Sequence, residues 1–211
     1  NWFTSTGEGN WIGHRTDNHI VTQYTYRTFY KIIADANMLM ENIDGLNGTD
    51  EQKASLKAQA LTLRAYAYSY LVQLYAKRYD ASKGVNDQLG VPLPLKSSDM
   101  ILERSTVKDV YAAIIKDLDD AIALGVTSRS NKSQANVHVA TGLRARVALT
   151  MQDYENAIKF SKVLVDLGTY PLMSREDYMK GFNDAGAVAE FIWASMPTQD
   201  QGDAFGSYFG Q

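Results

Sequence analysis

The sequence predicts an all-α fold in which helices stack in pairs and are joined by long irregular loops. Five segments repeat their apolar residues with the helical period. One of them, residues 49–79, is apolar over more than half of its circumference, so neighbouring helices must cover it from two sides. No comparably strong alternating pattern, which would indicate a strand, occurs before about residue 187.

The first predicted helix spans residues 24–43. Its apolar residues recur at intervals of three and four, and Gly45 follows as a stop signal. These apolar residues are Phe29, Ile33, Ala36, Met40 and Ile43.

The second predicted helix, residues 49–79, contains the tyrosine-rich stretch LKAQALTLRAYAYSYLVQLYAKRY. Thr49 and Gln52 predict a capping box at its start, in which each side chain satisfies a free backbone N–H group. Because two apolar stripes need cover, most of the tyrosines are predicted to be packing groups rather than a ligand-binding row. One stripe comprises Leu56, Ala60, Leu63, Ala67, Tyr70 and Leu74, and the other comprises Leu61, Tyr68, Val72, Tyr75 and Tyr79.

Three further helices are predicted at residues 106–124, 136–150 and 153–167. Thr106 with Asp109 forms a start signal, and Gly125 ends the same segment. Gly168 follows the last segment as the glycine that ends a helix in the left-handed conformation.

The composition bounds the function. The formal net charge is −3 and no stretch is dense in Lys or Arg, so binding to nucleic acid is not expected. The absence of cysteine excludes disulfides, thiolate metal sites and a cysteine nucleophile. No apolar run approaches the roughly 20 residues that span a bilayer. Because the chain begins at Asn1 in a loop-like stretch, we expect it to be a piece of a longer protein.

No cofactor or metal site is predicted. The segment GEGNWIG lacks the preceding strand and following helix of a dinucleotide-binding loop. His14 and His19 share a loop and His138 lies in a helix, and the histidines alone do not supply the three or four ligands that a metal needs.

The chain divides into three regions. Residues 1–23 form an aromatic and polar loop region, residues 24–168 form the helical core with a long loop at 80–105, and residues 169–211 are irregular and rich in glycine and aromatic residues. The apolar run AVAEFIWA in the last region is predicted to be a short strand.

The loop region 1–23 combines the residue types that bind sugars. Flat aromatic rings stack on the C–H faces of pyranose rings, while amides, carboxylates and Arg bond the hydroxyl groups. The opposing interpretation is that the tryptophans simply pack on the core. The candidate ligand-binding residues are Trp2, Asn10, Trp11, Arg15, Asp17 and Asn18.

Charged residues inside the helices are predicted to be structural. Arg64 and Arg146 sit beside apolar faces, where a buried guanidinium needs a carboxylate or carbonyl partner. Asp117, Asp119 and Asp120 cluster on one helix, but no cleft around a carboxylate pair can be placed. No catalytic residue is therefore assigned.

The last two helices, residues 136–167, occupy about one tetratricopeptide length of 34 residues, and the pair 49–79 with 106–124 forms a second unit. The predicted fold is thus a tetratricopeptide-like array of helix pairs. Four blocks then resemble, in order, the SusD/RagB family of Bacteroidetes outer-membrane lipoproteins. They are TFYKIIADANMLMENI, AQALTLRAYAYSYLVQLYA, RSTVKDVYAAIIKDLDDAIALG and VHVATGLRARVALTMQDYENAIKFSKVLVDLGTYPL. In the first block, Tyr30, Ile33 and Asn37 match the family's pattern; in the second, Gln59 replaces the usual Glu.

The resemblance implies a surface protein of the outer membrane that captures glycans or other nutrients and partners a SusC-like TonB-dependent transporter. It implies a lipid anchor outside this chain as the only attachment to the membrane. It also implies that residues before the first helix contribute to the glycan site, and that Asp117 is structural. Two alternatives stay open: a tetratricopeptide module that binds a protein without binding sugar and, least favoured, a glycan-acting enzyme.

Overall fold

The computed structural model describes residues 16–17, 19–99, 102–182 and 184–196, and in this part of the chain it is predominantly helical. Two short strands lie between the second and third helices. The elements are α1 (Ile20–Asn42), α2 (Asp50–Tyr75), β1 (Leu89–Pro92), β2 (Arg104–Thr106), α3 (Val107–Ala123), α4 (Val137–Thr150), α5 (Tyr154–Leu167) and α6 (Arg175–Met179). One-turn 3-10 helices occupy Ile43–Gly45 and Ala81–Lys83. The all-α prediction is confirmed.

The predicted helix ends are confirmed where the sequence carries capping signals. Thr49 Oγ1 accepts a hydrogen bond from the Gln52 backbone N at 3.2 Å, and Gln52 Oε1 accepts one from the Thr49 backbone N at 3.0 Å. The hydroxyl of Thr106 accepts from the Asp109 backbone N at 3.1 Å. Gly168 ends α5 with a φ of 65°, in the left-handed region that favours glycine.

The start of the first helix differs from the prediction, because α1 begins at Ile20 rather than at residue 24. The added turn, residues 20–23, exposes Ile20 and Val21 to solvent. It therefore adds nothing to the buried stripe from which the helix was predicted.

Helix α2 is enclosed by other helices, as its two apolar stripes predict. It packs against α1 and α3 and also contacts α4. Tyr68 is fully buried, Leu61 is buried and Tyr75 is partly buried. Only the ends of the first stripe, Leu56 and Leu74, are exposed. The tyrosine-rich helix is thus a central packing element of the fold.

Two polar residues of α2, Thr62 and Ser69, are buried. Thr62 donates its hydroxyl hydrogen to the carbonyl oxygen of Ala58 at 2.7 Å, and Ser69 donates to Tyr66 O at 2.7 Å. Because each hydroxyl is satisfied within its own helix, neighbouring elements cover it without an unpaired polar group.

The helix-pair arrangement is also present. Helix α2 packs on α3, α3 on α4, and α4 on α5. The buried apolar residues of these helices form one continuous core with Ile33 of α1 and Val91 of β1. Among the described residues, no helix is long and apolar enough to cross a membrane.

The long connection at residues 80–105 is more ordered than predicted. Strands β1 and β2 pair antiparallel, with Leu89 opposite Thr106 and Pro92 opposite Arg104, and the register is irregular between these pairs. A Cβ atom at Gly90 would lie 3.0 Å from the backbone oxygens of Ser105 and Thr106, so this close approach requires glycine. Strands of four and three residues are too short to show a period in the sequence.

The strand predicted for AVAEFIWA, residues 187–194, is wrong. The segment forms turns and bends and is held by the loop that precedes α4. Ala194 N donates to Lys132 O at 3.1 Å, Arg129 Nη1 to Ile192 O at 2.7 Å, and Trp193 Nε1 to Ser133 O at 2.8 Å. These bonds come largely from side chains, so an apolar run alone did not reveal them. Helix α6, capped by Ser174, was also not predicted.

The buried cations confirm one prediction and correct another. Arg64 donates from Nε and Nη2 to the two carboxylate oxygens of Asp117, both at 2.7 Å, and from Nη1 to Asn37 Oδ1 at 2.7 Å. Arg146 is exposed and not an interhelical anchor. The anchor is Arg144, which is buried, bonds Asp119 at 2.9 Å and lies over the ring of Phe160. Both arginines lie in the same apolar helix, so the sequence did not distinguish them.

Replacing Arg64 with Ala tests the buried ion pair. We expect the free energy of unfolding to fall by about 3–5 kcal/mol, because the Asp117 carboxylate remains buried without its partner. Chemical denaturation followed by circular dichroism measures this change. The matched control is Lys116→Ala, which removes an exposed ion pair with Asp120 and should leave the free energy of unfolding nearly unchanged. Equal losses in the two variants would contradict the role given to Arg64.

Candidate functional site

Of the six candidate ligand-binding residues, only Asp17 lies within the part of the chain that the structure describes. It is exposed, three positions before the start of α1. The other five, Trp2, Asn10, Trp11, Arg15 and Asn18, lie outside the described residues. Asp17 therefore marks where the predicted loop region meets the helical array.

Asp17 lines a cavity of about 360 Å³ at the amino-terminal end of α1. Two tyrosine rings, one carboxylate, one guanidinium, one amide and one hydroxyl surround the cavity, which matches the mixture of groups that binds sugars. The lining residues are Asp17, Thr22, Gln23, Tyr26, Arg27 and Tyr75.

The aromatic wall of this cavity is fixed by packing and by hydrogen bonds. Tyr26 and Tyr75 meet edge to face, with ring centroids 5.1 Å apart and planes at 86°. The Tyr75 hydroxyl donates to the backbone oxygen of Thr22 at 2.7 Å. Burial raises the pKa of the Tyr75 phenol, so the hydroxyl keeps its proton and its bond to Thr22 at neutral pH. The two rings are thus held in place before any ligand binds.

A second cavity, of about 410 Å³, lies farther along α1, between this helix and residues 92–99 with Leu102. Tyr26 lines both cavities. The lining residues are Tyr26, Tyr30, Ala34, Asn37, Pro92, Pro94, Lys96, Ser97, Asp99 and Leu102.

The wall opposite α1 is residues 92–99, which we call the anchored loop. Three side chains of the helices donate to its backbone oxygens: Tyr30 to Pro92 O at 2.7 Å, Tyr68 to Pro94 O at 2.6 Å and Asn37 to Pro94 O at 3.0 Å. Burial raises the pKa of both tyrosines well above the ordinary value, so both remain donors.

Two carboxylates hold the other half of the anchored loop. Glu41 of α1 accepts from the backbone N of Ser97 at 2.9 Å and also from the Ser97 hydroxyl, and these bonds lower the pKa of Glu41. Asp99 Oδ2 accepts from the backbone N atoms of Leu95 and Lys96, each at 3.0 Å. Arg64 Nη1, 3.4 Å from Leu95 O, connects the loop to the buried ion pair. The loop is therefore fixed by polar bonds along most of its length.

Sequence reasoning missed this second cavity. In the sequence, Tyr30 and Asn37 stand out only as positions that match a family pattern. A usable signal was present, because both are polar, lie seven residues apart and so share one face of α1 beside an apolar stripe. Nothing in the sequence indicated that their partners would be the carbonyl oxygens of Pro92 and Pro94.

The other candidate groups have structural partners. Asp117, Asp119 and Asp120 pair with Arg64, Arg144 and Lys116. His138 Nδ1 lies 2.8 Å from the Tyr170 hydroxyl, and burial together with the nearby Arg129 lowers its pKa. Within the described ranges, no three His, Cys, Asp or Glu side chains are grouped closely enough to hold a metal ion.

A comparison with protein families identifies the chain's relatives. A SusD-like family model, described as "Starch-binding associating with outer membrane", matches residues 2–149. The chain belongs to the SusD-like family. The match begins at Trp2 and ends one residue before the end of α4, so it includes the residues that line both cavities.

Two solved structures share the fold of this chain, and a further relative is similar in sequence. The chain is similar to a SusD-like carbohydrate-binding protein of Bacteroides vulgatus at 30% identity, with a TM-score of 0.74, over 84% of this chain and 37% of that one. It is similar to a putative sugar-binding protein of the same species at 28% identity and a TM-score of 0.70, over 80% of this chain and 40% of that one. SusD-like protein P25 of Formosa agariphila is 21% identical over 81% of this chain. The chain spans 31% of the length of P25.

Replacing Glu41 with Ala tests how the anchored loop is held. We expect the Ser97 amide hydrogen to exchange with solvent about tenfold faster, because it loses a charged acceptor. Hydrogen exchange followed by NMR measures this rate. Glu155→Ala, an exposed substitution on α5, is the control and should leave it unchanged. An unaltered Ser97 rate in Glu41→Ala would contradict the assigned contact.

Proposed function

We propose that this chain is part of a SusD-like protein that binds glycans at the bacterial cell surface and passes them to an outer-membrane transporter. Three findings support the proposal. The family is described as starch-binding and associated with the outer membrane. Two similar solved structures are described as carbohydrate-binding and putative sugar-binding proteins. The cavity beside Asp17 also has the chemistry that a sugar requires.

The observation that carries the proposal is the composition of that cavity. Asp17 accepts hydrogen bonds from sugar hydroxyls, and Arg27 and Gln23 supply donors. The Tyr26 and Tyr75 rings offer apolar surface for the C–H face of a pyranose. Because their positions are fixed beforehand, binding costs little ordering of the protein. This mode of action holds the sugar without breaking or forming a covalent bond.

The loop region 1–23 completes the site in this proposal. Arg15 lies two positions before Asp17, and Asn18 follows it directly. Both of these residue types bond hydroxyl groups. Trp11, six positions before Asp17, supplies a further flat ring for stacking. Trp2 and Asn10 are assigned to the same site.

Glycan titration of the full-length protein tests this function. We expect wild type to bind at least one neutral glycan from a panel that includes maltoheptaose, soluble starch and laminarin. Trp11→Ala and Asp17→Ala should each weaken this binding about tenfold, because they remove a stacking surface and a charged acceptor. Isothermal titration calorimetry measures the dissociation constants.

The control for the titration is Asp87→Ala, which removes an exposed carboxylate that lines neither cavity. Its affinity should equal that of wild type. If Trp11→Ala binds as wild type does, Trp11 is not part of the site. If wild type binds no glycan in the panel, the glycan function is wrong, and a protein or another nutrient takes its place as ligand.

The proposed partner is a SusC-like TonB-dependent transporter, and the proposed membrane attachment is a lipid anchor outside this chain. We expect the full-length protein, extracted from outer membranes in mild detergent, to co-purify with a large β-barrel identified by mass spectrometry. An unlipidated variant of the full-length protein should be lost from the membrane fraction. Recovery of the lipidated protein without a barrel would contradict the partnership.

A further inference from the structure

We infer that the cavity between α1 and the anchored loop is a second sugar subsite, which takes the next residues of a neutral oligosaccharide held at Asp17. The inference rests on the proposed function, because it extends the same site. It assigns a ligand to a part of the molecule that the sequence did not identify.

The two cavities follow one another along the same face of α1. Gln23 and Tyr26 line the Asp17 cavity, and Tyr26, Tyr30, Ala34 and Asn37 line the second. These positions are three or four residues apart, so they follow one face of the helix. At 1.5 Å per residue, the face from Gln23 to Asn37 is about 21 Å long. Such a length suits a chain of sugars rather than a single ring.

Rigidity of the opposite wall is the second argument. Tyr30, Asn37, Tyr68 and Arg64 all direct donors at backbone oxygens of the anchored loop, and Asn37, Tyr68 and Arg64 are buried. Buried polar groups that are satisfied in this way fix the geometry of what they bond. The cavity is consequently formed in advance, as small-molecule sites usually are.

The groups left at the cavity rim are the third argument. Among the described residues, the Lys96 ammonium, which lies in the field of Glu41, donates no hydrogen bond and Asp99 Oδ1 accepts none, so both can bond hydroxyl groups. Ala34, Pro92, Pro94 and Leu102 supply apolar surface beside the Tyr26 and Tyr30 rings. A pyranose presents the same combination, with an apolar face and a rim of hydroxyls.

Charge balance selects the class of glycan. The Asp17 cavity carries one carboxylate and one guanidinium, from Asp17 and Arg27. The second cavity is lined by one ammonium and one carboxylate, from Lys96 and Asp99, and the Glu41 carboxylate bonds the lining residue Ser97. Neither cavity concentrates charge of one sign, as a site for sulfated or uronic glycans requires. The structure thus favours a neutral oligosaccharide.

The test compares short and long members of one glycan series. Maltose and maltoheptaose are titrated into the full-length protein, with laminaribiose and laminarihexaose as a second series. Wild type should bind the long member at least about tenfold more tightly than the disaccharide, because the long chain reaches both cavities. Lys96→Ala should weaken binding of the long member about tenfold and leave the disaccharide unaffected.

Lys96 is suitable for substitution because its side chain is exposed and the bonds of the loop use its backbone. Lys57→Ala is the matched control, since Lys57 is exposed on α2 and lines neither cavity. If Lys96→Ala binds the long member as tightly as wild type does, the second subsite is overturned. If Asp17→Ala in the same series loses binding, the proposed function still stands. Equal affinity of wild type for short and long members also overturns the second subsite. Failure of both series to bind overturns the proposed function together with the subsite.

Discussion

The bidentate pair between Arg64 and Asp117, extended by Asn37, joins three helices of this structure. Arg64 lies in the enclosed helix α2, its carboxylate partner lies in α3, and its third nitrogen bonds Asn37 of α1. A buried guanidinium is costly unless each of its donors is satisfied, so the three helices are held in one relative arrangement. Asn37 also donates its amide N–H to Pro94 O. The buried ion pair therefore helps to position the anchored loop at the wall of the second cavity.

The tyrosines of the array combine packing with hydrogen bonding. Tyr68 is fully buried, and its ring fills the core while its hydroxyl reaches the surface loop. Tyr75 packs edge-on against Tyr26 and bonds the first turn of α1. A phenylalanine would fill the same space but would remove a hydrogen bond to a backbone oxygen. This dual role explains why a helix at the centre of the fold is rich in tyrosine rather than leucine.

The array of stacked helices could be predicted from the sequence because helical periods and caps are local signals. Thr49 and Gly168 fixed helix ends, and the two stripes of α2 required cover on both sides. The prediction failed where partners are distant in the chain. The choice between Arg144 and Arg146 depends on which one faces Asp119, and the second cavity depends on donors meeting carbonyl oxygens about 60 positions away. The predicted ligand-binding residues other than Asp17 lie outside the described part of the chain and stay predictions.

The helices hold the anchored loop mostly through its main-chain atoms, and this has an evolutionary consequence. Side chains of the helices form hydrogen bonds with the carbonyl oxygens of Pro92, Pro94 and Leu95 and with the amide of Ser97. Nearly every amino acid provides these backbone atoms. Side chains such as that of Lys96 are consequently free to vary while the framework stays intact. In the proposed subsite, point substitutions at such positions would change which ligand is preferred while the backbone stays in place.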